Sequence, residues 1–171
     1  MTGSRSNCPT RDLDDDPPTM IRSANARDRA AVEAIVHAAY SIYVERIGKM
    51  PGPMLDDYAR LIELGAVSVL EAPDGVIAAL IVLLPQPDHL LLDNIAVHPD
   101  HQGRGLGRRL VAFSEKEARR LGYAELRLYT HQTMTENIAL YTRLGFEETG
   151  RGTEAGYDRV FMTKPVGANS R

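Results

Sequence analysis

The chain of 171 residues is 43% hydrophobic and 25% charged, proportions of an ordinary globular domain that exclude wholesale disorder or a fibre. Its length suits one domain with a core that needs no disulfide staple, and its single cysteine, Cys8, has no intrachain partner. A formal charge of −3 supplies no basic field for a nucleic-acid duplex, and no apolar run approaches the ~20 residues that span a membrane.

Residues 1–19 are rich in Ser, Thr, Asp and Pro and lack the apolar segment of an export signal, so they are read as a disordered tail on a cytoplasmic domain. Cys8 lies in that tail, without the fixed surroundings that activate a nucleophile. Residues 21–24 read as a strand, and Asn25 as the cap of a helix whose Val32, Ile35, Val36, Ala39, Tyr40 and Tyr43 recur on one face. The run 48–53, Gly-Lys-Met-Pro-Gly-Pro, breaks that helix, and a second is expected over 55–64. Strands over 67–72 and 76–84 flank the turn Pro73-Asp74-Gly75.

The strand over 90–97 is apolar on both faces apart from Asp93 and Asn94, as suits a strand deep in a sheet. A long helix follows over 103–121, then a strand over 124–130. Thr133 and Glu136 have capping-box spacing for a helix that runs through Leu144 and is ended by Gly145. Strands over 146–149 and 157–164 close as an antiparallel pair, and 165–171 read as a polar tail. One α/β (α+β) domain with a mixed sheet over 20–164 is therefore expected.

The segment 92–110, LDNIAVHPDHQGRGLGRRL, carries the chemistry. A buried strand ends at His98-Pro99, and Gln102-Gly103-Arg104-Gly105-Leu106-Gly107 then opens a helix. Glycines let a ligand approach the backbone, the first amides of a helix lack intrahelical partners, and the helix dipole favours an anion there. With Arg104, Arg108 and Arg109 adding charge, the turn reads as a pyrophosphate site. The third glycine of a dinucleotide fingerprint is replaced by Arg108, and no Gly-Lys-Ser/Thr ending marks a nucleotide P-loop.

Gln102, Gly105 and Gly107 fit the pattern Gln/Arg-x-x-Gly-x-Gly/Ala, after Ile95-Ala96-Val97-His98-Pro99 and before Ala139-Leu140-Tyr141 and Leu144-Gly145-Phe146. On those motifs the chain resembles the GNAT superfamily of acyl-CoA-dependent N-acyltransferases over 20–164. The resemblance implies a mostly antiparallel central sheet flanked by about four helices, and acetyl-CoA as co-substrate. It assigns the pyrophosphate to Gln102, Gly103, Arg104, Gly105, Leu106, Gly107 and Arg108, and the pantetheine and thioester to backbone groups of Ile95, Ala96 and Val97.

By the same resemblance Tyr141 protonates the leaving thiolate, although its spacing with Ile138 and Leu144 also suits a core aromatic. The family's asparagine seven residues before that tyrosine is replaced by Met134; Asn137, one turn before Tyr141, is a candidate cofactor contact. The two places where members keep a glutamate base hold Leu91 and Tyr129. Asp93, a carboxyl in an apolar strand, is a substitute base or a structural acid tied to a donor. Tyr43, Glu45, Arg46 and the 48–54 loop with Met54 lie where the family builds its acceptor pocket, or form a plain polar helix end. His131 is a proton relay at a strand end or simply solvated.

The sequence is thus read as an N-acetyltransferase acting on a primary amine, of a small molecule or a peptide, by direct attack in a ternary complex. A non-catalytic acyl-CoA-binding module is the alternative, favoured by the missing glutamates and opposed by Tyr141. Nucleic-acid binding by the long helix is opposed by the acidic balance and by Glu115 and Glu117. His98 and His101 have no further ligand cluster, so no metal is expected. A monomer or a homodimer is expected.

Overall fold

The computed structural model describes residues 20–167; the tail read over 1–19, with Cys8, and residues 168–171 lie outside them. Met20–Ser23 (β1), Val67–Glu71 (β2), Ile77–Pro85 (β3), Leu90–Val97 (β4), Glu125–His131 (β5), Glu147–Glu154 (β6) and Tyr157–Pro165 (β7) form one sheet. Its order is β1-β2-β3-β4-β5-β7-β6. Every neighbouring pair is antiparallel except β4 and β5, which are parallel. Arg29–Ile47 (α1), Tyr58–Glu63 (α2), Leu106–Arg120 (α3) and Thr135–Arg143 (α4) flank it. This is the mixed, mostly antiparallel sheet with four helices that the sequence led us to expect.

Local chemistry sets most of the boundaries. Asn25 and Asp28 form a capping box around a 3-10 turn, Ala26–Asp28, from which α1 continues until Gly48 takes φ +80° and donates its N–H to the Val44 carbonyl. The helix expected over 55–64 is split: Pro51 and Pro53 hold a 3-10 turn at Gly52–Leu55, and Asp57 caps a later start by accepting from the Arg60 amide at 3.1 Å. The entry of α3 is also later than 103, because Gly103 and Gly105 adopt left-handed φ of +78° and +76° that a helix cannot contain.

The capping box expected at Thr133 and Glu136 does not form. The Thr133 hydroxyl lies 2.8 Å from His131 Nδ1, and Glu136 instead reaches across to Arg46 at 2.8 Å. At the C-terminal end β7 runs through Pro165, and Val166 is buried with its N–H on the Ala124 carbonyl, so the strand and core extend past 164.

The sheet separates two apolar clusters, one under α3 and α4 and one under α1 and α2. In β4 the alternation changes phase halfway. Val82 pairs with Asn94 but its neighbour Leu83 pairs with Leu92, so Asp93 is an extra, bulged residue with no partner on β3. Leu90 and Leu92 before the bulge and Ile95 and Val97 after it all face the α3 side, while Ala96 faces α1. Strict alternation would place Asp93 on a shared face with Leu91, Ile95 and Val97; the bulge removes that equivalence.

Candidate active site

The parallel pairing of β4 and β5 covers only Leu90–Leu92 against Leu126–Leu128, and beyond it the strands separate. Asp93 and Tyr129 are the first residues past that point. The Tyr129 hydroxyl donates to Asp93 Oδ1 at 2.8 Å, bridging the fork where the strands part. Burial and the adjacent Asp93 charge push the Tyr129 phenol up to about 12, so it stays protonated as a donor.

On one side of the fork lies a cleft of about 570 Å³. Ile95, Ala96 and Val97 of β4 line it. So do Gln102, Gly103, Gly105, Leu106, Gly107 and Arg108 at the entry of α3, and Asn137 and Tyr141 of α4. Arg104 is exposed outside the lining, with Nη1 3.5 Å from His101 Nδ1. Among the described residues the amides of 103–108 have no intrachain partner; the bonded ones on either side are Gln102 N–H to the Pro99 carbonyl and Arg109 N–H to the Gly105 carbonyl. A cluster of unpaired amides at a helix entry suits a pyrophosphate. A Cβ built at Gly103 or Gly105 meets no atom within 4 Å, so backbone conformation rather than packing demands glycine there. Gln102 donates to the Val97 carbonyl at 3.2 Å and ties the turn to β4.

Tyr141 is buried at 8% exposure, packs edge-on against Phe146 with ring centroids 5.6 Å apart, and also lines the cleft. Burial pushes its phenol well above the ordinary range, which keeps the proton that a general acid must hold. Tyr43, expected in the acceptor pocket, instead lines this cleft. Arg46 sits 5.3 Å from the Tyr43 ring centroid and pairs with Glu136, linking α1 to α4 across the cleft rim. That guanidinium holds the Glu136 carboxyl well below the usual range.

On the other side a smaller pocket of about 130 Å³ is lined by Asp56, Asp93, Tyr129, His131 and Arg159, among others. Tyr40 lines both cavities and forms the wall between them. Its hydroxyl lies 2.5 Å from Asn94 Oδ1 and 3.1 Å from the Ile95 carbonyl. Asn94 in turn donates to the Tyr58 hydroxyl at 3.1 Å, and Tyr58 to the Pro53 carbonyl at 2.6 Å. This buried chain fixes α1, β4, α2 and the 52–55 turn around the pocket, with every hydroxyl satisfied.

Arg159 stands opposite His131 on the neighbouring strand, and its guanidinium lies 4.0 Å from the Tyr129 ring centroid, on the diagonal of the same sheet face. Burial pushes His131 below its ordinary range. Partial desolvation of the Asp56 carboxyl at the solvent-exposed pocket mouth, reinforced by the Asp93 charge and opposed by Arg159, pushes its pKa up to about 6. Met54 is half-buried against the α1–α2 cluster, and Glu45 is exposed; neither lines the pocket. Sequence reasoning stopped the acceptor loop at Met54 and so missed Asp56, and it had no signal for Arg159, which reaches the site only through strand pairing. Among the described residues no group of three or more His, Cys, Asp or Glu is placed to hold a metal, and no helix is long and apolar enough to cross a membrane.

Residues 32–146 match the profile of the Acetyltransferase (GNAT) family. The [Ribosomal protein bS18]-alanine N-acetyltransferase of Escherichia coli K12 is 34% identical over 99 residues, covering 54% of this chain and 67% of that protein. The crystal structure of the Escherichia coli ribosomal-protein-S18-alanine N-acetyltransferase superposes with a TM-score of 0.68 at 26% identity, covering 90% of this chain and 99% of that one. The PaiA N-acetyltransferase of Thermoplasma acidophilum, solved with coenzyme A, shares the fold with a TM-score of 0.70 at 18% identity, covering 87% and 99% of the two chains.

Proposed function

The chain belongs to the GNAT acetyltransferase family, and from that premise we propose that it moves an acetyl group from acetyl-CoA to a primary amine by direct attack in a ternary complex. The observation that carries this reading is the meeting of two cavities near the β4–β5 fork, with Tyr40 lining both. One offers unpaired amides to a pyrophosphate; the other offers carboxylates to an ammonium.

The amides of 103–108, with Arg108, would hold the pyrophosphate of acetyl-CoA, and Ile95, Ala96 and Val97 would align its pantetheine along β4. Acetyl-CoA supplies an activated acyl group. Asp93, oriented by Tyr129, faces the acceptor ammonium, and Tyr141 gives a proton to the departing thiolate. Alignment of both reactants at one fork would supply much of the acceleration. The places of the family glutamates hold Leu91 and Tyr129, yet Asp56 and Asp93 return two carboxyls to the acceptor side, which favours an enzyme over a binding module. A small-molecule or peptide amine fits the reading, the latter supported by the relative that acetylates a ribosomal-protein alanine.

Thermal melting with acetyl-CoA, CoA and NAD is the first test. At a hundredfold excess over Kd a ligand stabilises by about 2.7 kcal/mol, roughly 5–10 °C for a domain of this size. Acetyl-CoA and CoA are expected to give that shift and NAD none. Thiol release from acetyl-CoA in the presence of an alkylamine, an amino acid and an alanine-terminated peptide then checks transfer. A protein that shows neither a shift with acetyl-CoA nor thiol release sinks the reading.

A further inference from the structure

The acceptor pocket contains a carboxyl that no motif accounts for. Asp56 follows the 3-10 turn Gly52–Leu55, whose Pro53 carbonyl is held by Tyr58, and it shares the pocket with Asp93 of β4. The two acids are not equivalent. Asp93 Oδ1 is already engaged by the Tyr129 hydroxyl, beneath the Arg159 guanidinium. Among the described residues Asp56 has no hydrogen-bond donor on its carboxyl; what acts on it is partial desolvation at the pocket mouth, the like charge of Asp93 and the opposite charge of Arg159. Other titratable groups facing the pocket are Tyr40 of α1, Tyr129 and His131 of β5, and Tyr157 of β7, with Tyr58 of α2 behind the turn.

We infer that Asp56 takes the proton from the acceptor ammonium, while Asp93 holds that ammonium in place. The inference rests on the transferase reading and adds the base which that reading leaves open. In the step, an N–H proton passes to an Asp56 oxygen. The freed nitrogen lone pair forms the new C–N bond at the thioester carbon, the C–S bond breaks, the thiolate takes the proton of Tyr141, and the second N–H proton, shed by the new amide nitrogen, returns through solvent to the Tyr141 phenolate. A base must be ionised at working pH yet basic enough to accept, and a carboxyl near pH 6 meets both demands better than one in the usual range. With two carboxylates against one guanidinium, the pocket also keeps a net negative charge toward a cation.

The test is the pH dependence of thiol release, measured with whichever of the three amine probes the wild type turns over. Wild-type kcat/KM is expected to rise through an acid limb near pH 6. Asp56→Asn should lower kcat/KM by about 100-fold, the low end of general-base contributions, and remove the limb; Asp56→Glu should restore part of the rate. In Asp93→Asn, whose rate falls as well, the surviving limb should move to lower pH because a like charge is gone. In Arg159→Gln it should move to higher pH because an opposing charge is gone. An active wild type whose Asp56→Asn variant keeps the same limb and rate overturns this inference alone. A wild type that turns over none of the probes overturns the transferase reading, and this inference with it.

Discussion

Tyr141 is the proposed proton donor to the leaving thiolate, and its surroundings say what its loss should do. The ring packs against Phe146 inside the core, so Tyr141→Phe keeps the packing and removes only the hydroxyl. We expect kcat to fall by 10- to 100-fold, while KM for acetyl-CoA stays within about twofold, because the lost proton transfer is felt only in the transition state. Steady-state kinetics of the variant decides it, and an unchanged kcat would remove Tyr141 from the mechanism. Gly105 permits a sharper contrast. At φ +76° an alanine there is strained by about 1–2 kcal/mol, and the same strain applies to alanine at Gly122, with φ +83° and equally open space at the far end of α3. Both variants should therefore melt lower to a similar degree. Only Gly105→Ala should weaken CoA binding, by about tenfold (about 1.4 kcal/mol), because only it misaligns the unpaired amides. Calorimetric titration of both variants with CoA reads the difference, and equal loss of affinity would detach the amides from the ligand.

Among the elements, β4 is the one that builds the site, and it was only half legible in the sequence. Its existence and its turn into the glycine loop followed from apolar run, His98-Pro99 and spacing, because those signals are local. The bulge at Asp93 was not legible, since an extra residue changes no composition and becomes visible only against the register of β3. The same holds for the pocket: Asp93 was found because it interrupts an apolar strand and His131 because it ends one, whereas Arg159 looks like any alternating polar residue until β7 pairs with β5. Thr133 and Glu136 misled because spacing alone cannot reveal that His131 and Arg46 compete for them. Asn94 shows what β4 holds in place. It is 2% exposed and bridges Tyr40 to Tyr58, so Asn94→Ala strips both hydroxyls of a partner and leaves a void. A loss of about 2 kcal/mol is expected, seen as a melting temperature lower by roughly 4–8 °C, with activity falling further because the 52–55 turn loosens. Melting within a degree or two of wild type would mean that the network carries no weight.

For the molecule as a whole, the acceptor pocket and the stability of the fold pull against one another, and their pH dependences have opposite signs. At the β1–β2 edge, Arg22 bonds both Asp28 and Glu71 at 2.7 Å and holds the Asp28 carboxyl below its usual range. A depressed folded pKa contributes stability that is present above the unfolded value, about 3.9, and is lost as pH falls through the folded value. Asp56 does the reverse. Its folded pKa of about 6 exceeds the unfolded value, so the folded state binds the extra proton between about pH 4 and 6 and stability declines as pH rises through that window. Asp56→Asn cannot lose that proton. The melting temperature of the variant minus that of wild type should therefore grow from pH 4 to 6 and stay level above 6, whatever its value at pH 3. Because Asp56 stands at the exposed mouth of the pocket, solvent screens the effect and keeps it small. Melting curves of both proteins from pH 3 to 8 measure it. A difference that is flat across that range would show that Asp56 ionises as an ordinary surface carboxyl, and the pocket would then hold no carboxyl poised near pH 6 to take the acceptor proton.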